Sequence, residues 1–359
     1  MSKKTQVKLK NNKQSLPFVS ICTPTFNRRP FIPIMFEIFK NQDYPKNRLE
    51  WIIVDDGTDP IEDLVISSGI SQIKYFRVNE KMSLGKKRNY MHSLCSSDSK
   101  YICYADDDDY FPYNRISHSI EVLEKNPNAL IAASSELYVY FKHIDKIYQF
   151  GPYNQNHGTA GTFCFRKKML DITRYNENAE LAEEKEFLQN YSIPMIQLDP
   201  LKTILVVSHN HNTFDKKILL ENPHPQFCKE SNKTLEMFFR KNNATDQKIK
   251  RFFLDEIDDL LKNYEPGEPK HKPKVLKQMA ELKQQREEMQ HQQQMHTQPQ
   301  LMIERPGFPP TAVSLEEVVN ILQNQQQQIE FLTKHSKELE DKCQMLQFKL
   351  IQQAKLSNK

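Results

Sequence analysis

Apolar residues in the first half of the chain come in short runs separated by polar turns. "FVSICT" (18–23) reads as a buried strand that Pro24 ends. "RPFIPIMFEIFKNQ" follows, with apolar residues at 34, 35, 38 and 39 and prolines confined to its first turn, which predicts a helix. "EWIIV" (50–54) is a second strand, then come a short helix (about 60–68) and a third strand, "QIKYFRV" (72–78). "LGKKRNYMHSLC" is helical and "KYICYA" (100–105) a fourth strand. Strands that read as unbroken apolar runs and alternate with helices predict an α/β fold, a mostly parallel sheet with helices on both faces.

The pattern becomes more mixed further on. "ALIAASSELYVYF" (129–141), "GTFCFRKKML" (161–170) and "KTILVVSH" (202–209) suggest strands, and "LAEEKEFLQNY" (181–191) a helix. Residues 244–264 form an amphipathic helix that "EPGEPKHKPK" terminates. Beyond it lie a Gln-rich helical stretch (about 274–295) and the Pro-rich "TQPQLMIERPGFPPT". Counting sevens from Leu315 puts Leu315, Leu322, Ile329, Ser336, Cys343 and Leu350 on one seam position. Val318, Gln325, Leu332, Leu339 and Leu346 fall on the other, so eight of these eleven are aliphatic, a coiled-coil pattern. The expected organisation is a basic, disordered leader (1–16), an α/β domain (17–230), a helical extension (231–264), a Gln/Pro-rich linker with a helix (265–311) and a coiled coil (312–356). Self-association through that last segment into a homo-oligomer is the expected consequence.

Composition narrows the class. Fifty basic against 46 acidic residues leave a net charge of +4, too mixed in sign to argue for nucleic acid. No apolar run approaches the ~20 residues that span a bilayer, and no apolar signal-peptide core follows the basic N-terminus. The cysteines at 22, 95, 103, 164, 228 and 343 form no Cys-x-x-Cys pair and lie mostly in apolar segments, which fits a reducing, cytoplasmic compartment.

The candidate chemistry lies at strand ends. "TPTFNRR", "DDGTD" and "DDDDY" each follow a predicted strand immediately, and parallel sheets bind ligands beyond the carboxyl ends of their strands. Asp106 to Asp109 stand in a row between an apolar run and a Tyr-Phe-Pro turn. Neighbouring like charges at ~4 Å repel by roughly 4 kcal/mol at an effective dielectric of 20, so this tetrad calls for a cation.

"VSICTPTFNR", "WIIVDDGTD", "LGKKRNY" and "YICYADDDDYFP", in this order, resemble the nucleotide-sugar-binding half of glycosyltransferase family 2, over roughly residues 17–215. The resemblance implies the GT-A fold, a Rossmann-like sheet. It implies that Thr23, Pro24, Thr25 and Arg28 lie near a uracil base, with Asp55 and Asp56 accepting from the base or the ribose hydroxyls. Gly85, Lys86, Arg88 and Asn89, where a helix begins, would face the phosphates, although Lys87 stands where the family has a small residue. Asp106, Asp107 and Asp108 match the family's Asp-x-Asp signature. Asp108 is the first choice as ligand of Mn²⁺ or Mg²⁺, Asp106 touches metal or ribose, and Asp107 lies at the same donor site. Of Glu183 and Glu184, the latter matches the general base better.

In related enzymes a histidine after a later strand completes the metal shell, a role that falls first to His211 and then to His209. Gly158 to Gly161 would let an acceptor sugar approach the backbone. Together these imply a metal-dependent, inverting enzyme that moves a sugar from a nucleotide donor, a UDP-sugar, to a hydroxyl of a glycan or glycoprotein. The alternative is an inactive transferase-like domain that acts as a coiled-coil scaffold.

Overall fold

The computed structural model describes residues 16–221, 223–297, 301–305, 308–313 and 315–357; the leader expected over 1–16 lies almost wholly outside them. The chain divides into two compact units, residues 1–281 and 282–359. In the first, seven strands make one sheet in the order β3-β2-β1-β4-β8-β5-β9. They are β1 (Val19–Thr25), β2 (Leu49–Asp55), β3 (Ile73–Arg77), β4 (Tyr101–Tyr104), β5 (Ile131–Ala133), β8 (Cys164–Arg166) and β9 (Met195–Gln197). All pairs are parallel except those of β8, which runs against both β4 and β5.

Strand alternation produces two cores. Ile21, Trp51, Ile53, Tyr101 and Cys103 point to one face of the sheet, where they join the apolar stripe of α1 (Ile32–Asn41). There Phe39 stacks on Trp51 with ring centroids 4.9 Å apart. Their neighbours Cys22, Ile52, Val54, Ile102 and Tyr104 point to the other face, with Met91 of α3 (Leu84–Leu94). A strand covered on both sides has no polar face to show, hence the unbroken apolar runs. Two more helices, α2 (Glu62–Ser68) and α4 (Arg115–Lys125), complete the βα alternation.

Some boundaries differ from expectation. Pro24 does not end β1: the strand continues to Thr25, paired with β2, but past Cys22 it has lost its ladder to β4. A proline is tolerated where one side of the strand is free. The run 129–141 is two strands, not one, because β6 (Leu137–Phe141) belongs to a second sheet of order β10-β6-β7-β11. The others in that sheet are β7 (Lys146–Phe150), β10 (Leu205–Ser208) and β11 (Cys228–Glu230). Of the helix expected over 181–191 only one turn forms, α5 (Glu184–Phe187), since Gln189, Asn190 and Tyr191 all take positive φ.

The amphipathic helix of the extension is α6 (Ala244–Arg251) and α7 (Ile257–Lys262), joined by a π-helical turn over Phe252–Glu256. The linker expected from residue 265 onward does not begin there. Residues 264–275 pack on the domain, with Tyr264 donating to Asp59 (2.9 Å) and Asn27 to the Pro266 carbonyl (2.7 Å). From Pro273 the chain enters α8 (Pro273–Thr297).

In the second unit, β12 (Leu301–Arg305) and β13 (Phe308–Val313) form an antiparallel hairpin within the stretch expected to be linker. The unit ends in one 43-residue helix, α9 (Leu315–Ser357). Among the described residues no helix is long and apolar enough to cross a membrane.

Candidate active site

Parallel register brings Thr25 level with Asp55 and Asp55 level with Arg77, so the polar loops after β1, β2 and β4 emerge at one end of the sheet. Beyond that end lies a cleft of about 550 Å³, within the range of small-molecule sites. Pro24, Thr25, Arg28, Arg88, Asp106 to Asp109, Glu183 and Glu184 all line it.

Two anchors fix the acidic loop. The backbone of Tyr110 exchanges hydrogen bonds with that of Leu205 (3.1 and 2.9 Å), and the Asp109 carboxylate accepts from the Val207 N–H at 3.2 Å. Strand β10 is thereby pinned to the tetrad, and the residue just past its end, His209, arrives with Nε2 3.4 Å from Asp108 Oδ2. Arg28 reaches in from the other side, 3.3 Å from Asp108 and 3.6 Å from Asp107. Arg88 donates to Glu183 at 2.8 Å, lies 3.6 Å from Asp106 and stacks 4.4 Å over the Tyr104 ring. One guanidinium thus ties the metal-type loop to the paired glutamates.

The tetrad divides its charge unequally. Burial raises Asp108, but the His209 hydrogen bond and Arg28 outweigh it and hold the carboxyl well below the usual range. Burial pushes Asp107 up to about 7 against the pull of Arg28, and it raises Asp106 against Arg88. Asp109 is driven well above its ordinary value by burial and then by Asp108. Four adjacent carboxyls out of water do not all ionise. Burial lowers His209 to about 4, so its imidazole is neutral at pH 7. Across the cleft, burial and then the charge of Glu183 raise Glu184 to about 7.

The donor chemistry suits a hard dication. Asp106 and Asp108 face the cleft, and Asp107 keeps one buried oxygen, Oδ2, without a partner. Among the described residues no three acidic or histidine side chains already stand together as a ligand cluster. His211, the first choice of the sequence, is not beside Asp108. The chain turns at Asn210 rather than running extended, Asn212 Oδ1 accepts from the His209 N–H at 2.8 Å, and the His211 ring faces Gly267 and Tyr264.

Several other expected site residues make bonds within the frame of the fold. Thr23 donates to the Ala105 carbonyl (2.7 Å) and accepts from Trp51 (2.9 Å). Asp55 is buried, accepting from the N–H of Gly57 and Ile61 and from the Tyr75 hydroxyl. Asp56 accepts from Lys87 and from the Met82 N–H, and neither Asp55 nor Asp56 lines the cleft. Gly57 is required for space, because a Cβ there would lie 2.5 Å from Asn27 Oδ1.

The start of α3 is no open anion site, since Ser83 caps it and Lys86 is exposed. Gly85 and Asn89 instead hold the segment that leads to the glutamates. A Cβ on Gly85 would lie 1.9 Å from the Asn176 carbonyl, and Asn89 bonds both backbone groups of Tyr175. Gly161 does lie in the cleft, where a Cβ would come 2.7 Å from Asp106 Oδ2.

Sequence reasoning missed Lys216, Lys272 and the ring pair Tyr153–His157 (4.5 Å), which also line the cleft. All lie in regions whose local pattern carries no motif.

Fold and site together define a Rossmann-like α/β domain with a ligand cleft at the carboxyl ends of its first four strands, which run 3-2-1-4 across the sheet. Residues 20–174 match the model of glycosyl transferase family 2, so this segment of the chain is similar to that family. No curated protein matches the chain. Among solved structures it is similar to S. aureus TarS 1-349 (17% identity, TM-score 0.43, 53% of this chain and 60% of that one). The same protein in complex with UDP-GlcNAc gives 17% and 0.43, covering 54% and 59%. Mannosyltransferase PcManGT from Pyrobaculum calidifontis, in complex with GDP-Man and Mn²⁺, gives 13% and 0.45, covering 55% and 58%. The match thus spans about three fifths of the length of each of these solved chains.

Proposed function

We propose that the domain is a metal-dependent, inverting transferase that moves a sugar from a nucleoside diphosphate donor, a UDP-sugar, to a hydroxyl of a glycan or glycoprotein. One observation carries this reading: the acidic loop with Arg28 and His209, and the glutamates with Arg88, face each other across a single cleft. Asp108 and Asp106, with His209, would hold Mn²⁺ or Mg²⁺, which when bound supplies a Lewis acid for the diphosphate. The match of residues 20–174 to the glycosyl transferase family 2 model supports a sugar-transfer reaction here.

The chain's own groups do the rest. Glu184, raised to about 7, is poised to take the acceptor's proton near neutral pH as the hydroxyl attacks the anomeric carbon from the face opposite the diphosphate. Charge at that carbon is oxocarbenium-like, and Arg28 adds positive charge at the leaving-group side. Arg88 holds Glu183 in place beside the base. The rings of Tyr153 and His157 suit the apolar face of an acceptor sugar.

In α9 the seam residues Leu322, Ile329, Leu332, Leu339, Leu346 and Leu350 are all exposed, which supports pairing with a second copy of the chain.

The test is a panel of UDP-, GDP- and CDP-sugars, scored for nucleoside diphosphate release with Mn²⁺, Mg²⁺ or a chelator. Metal-dependent release from a UDP-sugar is expected. Release from none of them, or release that the chelator leaves untouched, would overturn the reading.

A further inference from the structure

The segment after α7 lies outside residues 20–174, yet it closes one side of the cleft. Arg28, which holds Asp107 and Asp108, also donates to the Gly267 carbonyl at 3.3 Å, and Asn27 donates to the carbonyl of Pro266. A Cβ on Gly267 would sit 2.8 Å from His211 Nδ1 and 2.9 Å from the Asn27 carbonyl, so this approach is as close as backbone permits. Six residues after Pro266, just before α8, Lys272 turns into the cleft with 8% of its surface exposed.

The electrostatics of Lys272 are unusual. Its Nζ donates to the Thr213 hydroxyl at 2.6 Å and stands 5.8 Å from the centre of the Phe26 ring. Among the described residues it forms no ion pair, whereas Arg28, Lys87 and Arg88 around it all do. Burial, and after it the charge of Arg28, lowers it to about 7. Asp107 and Asp108 attract it, but neither pairs with it directly, and an ammonium buried without a paired anion is costly. Lys81 stands 5.0 Å from the same ring, and Lys216 also lines the cleft. Three lysines from three separate segments therefore line the same cleft as the acidic loop.

We propose that Lys272 is a donor-binding residue supplied by the C-terminal extension, and that its ammonium contacts the diphosphate of the nucleotide sugar. This rests on the donor reading above. The directly paired anion is then the substrate's own, and Lys272 brings the extension into the binding site.

The test compares full-length wild type with Lys272→Met, which keeps the unbranched stem, one atom shorter, and removes its charge. UDP is titrated by calorimetry with Mn²⁺, uridine by NMR shift perturbation, and the unliganded proteins are melted. The surface lysine two residues away, Lys270, which pairs with Glu265 and Glu268, gives the control Lys270→Met. Loss of a charged hydrogen bond predicts UDP affinity about ten- to a hundredfold weaker in Lys272→Met. Uridine affinity should be unchanged, Tm unchanged or higher, and Lys270→Met like wild type.

Equal UDP affinity in wild type and Lys272→Met would overturn the assignment while leaving the donor reading intact. So would a lower Tm or a parallel loss of uridine binding, either of which marks a structural lysine. Failure of wild type itself to bind UDP would overturn the donor reading and this inference with it.

Discussion

Glu184 gives the sharpest handle on the chemistry, because one substitution moves stability and turnover in opposite directions. Burial beside Glu183 lifts its carboxyl from the ordinary value of 4.5 to about 7. A folded-state value above the unfolded one means that the protonated form favours folding. The contribution is complete below 4.5 and lost as pH rises to about 7. At 1.36 kcal/mol per pH unit, the ionised side chain costs the fold about 3 kcal/mol at pH 8.

Glu184→Gln, which stays neutral, should escape that cost. Its advantage over wild type in urea unfolding should grow by about 2.5 kcal/mol between pH 5 and pH 8. The same variant should lose about 10²- to 10⁴-fold in kcat. Wild-type kcat/KM should fall tenfold per pH unit below about 7, and the variant should lack that limb. A stability difference that does not change with pH would refute the raised carboxyl. Undiminished kcat would refute the role as base.

Two further outcomes follow from the geometry. Asp55→Ala leaves the N–H groups of Gly57 and Ile61 and the Tyr75 hydroxyl without their acceptor. At about 1–3 kcal/mol for each buried unsatisfied group, the chemical denaturation midpoint should drop sharply, while UDP affinity of the folded fraction stays within a few-fold. A selective loss of UDP affinity at unchanged stability would return Asp55 to the nucleotide. Removing residues 312–359 should give a monomer by light scattering with kcat unchanged, and a truncated protein that elutes as the full-length assembly would contradict pairing through α9.

What could be read in the sequence was what repeats or clusters locally. Unbroken apolar runs mark β1, β2 and β4, because each is covered on both faces, and the acidic and basic loops stand where those runs stop. Roles set by distant partners were not legible. Asp55 looks like a ligand residue in "VDDG", but it already accepts from Tyr75 of the neighbouring strand and from its own turn. His209 and His211 share a face only if the chain is extended, and the Asn212 side chain bends it. Lys272 lies in a Pro- and Lys-rich stretch that has the composition of a linker. Its surroundings are built by residues more than fifty positions away, such as Thr213, 59 residues distant.

The most direct test of the central claim is the coupling of nucleotide and metal at the acidic loop. UDP affinity is measured by calorimetry with and without Mn²⁺, in wild type and in Asp108→Ala. Mn²⁺ should tighten UDP binding at least tenfold in wild type and leave the variant unchanged. Equal tightening in both proteins, or none in either, would contradict the view that these carboxylates hold a cation for the diphosphate.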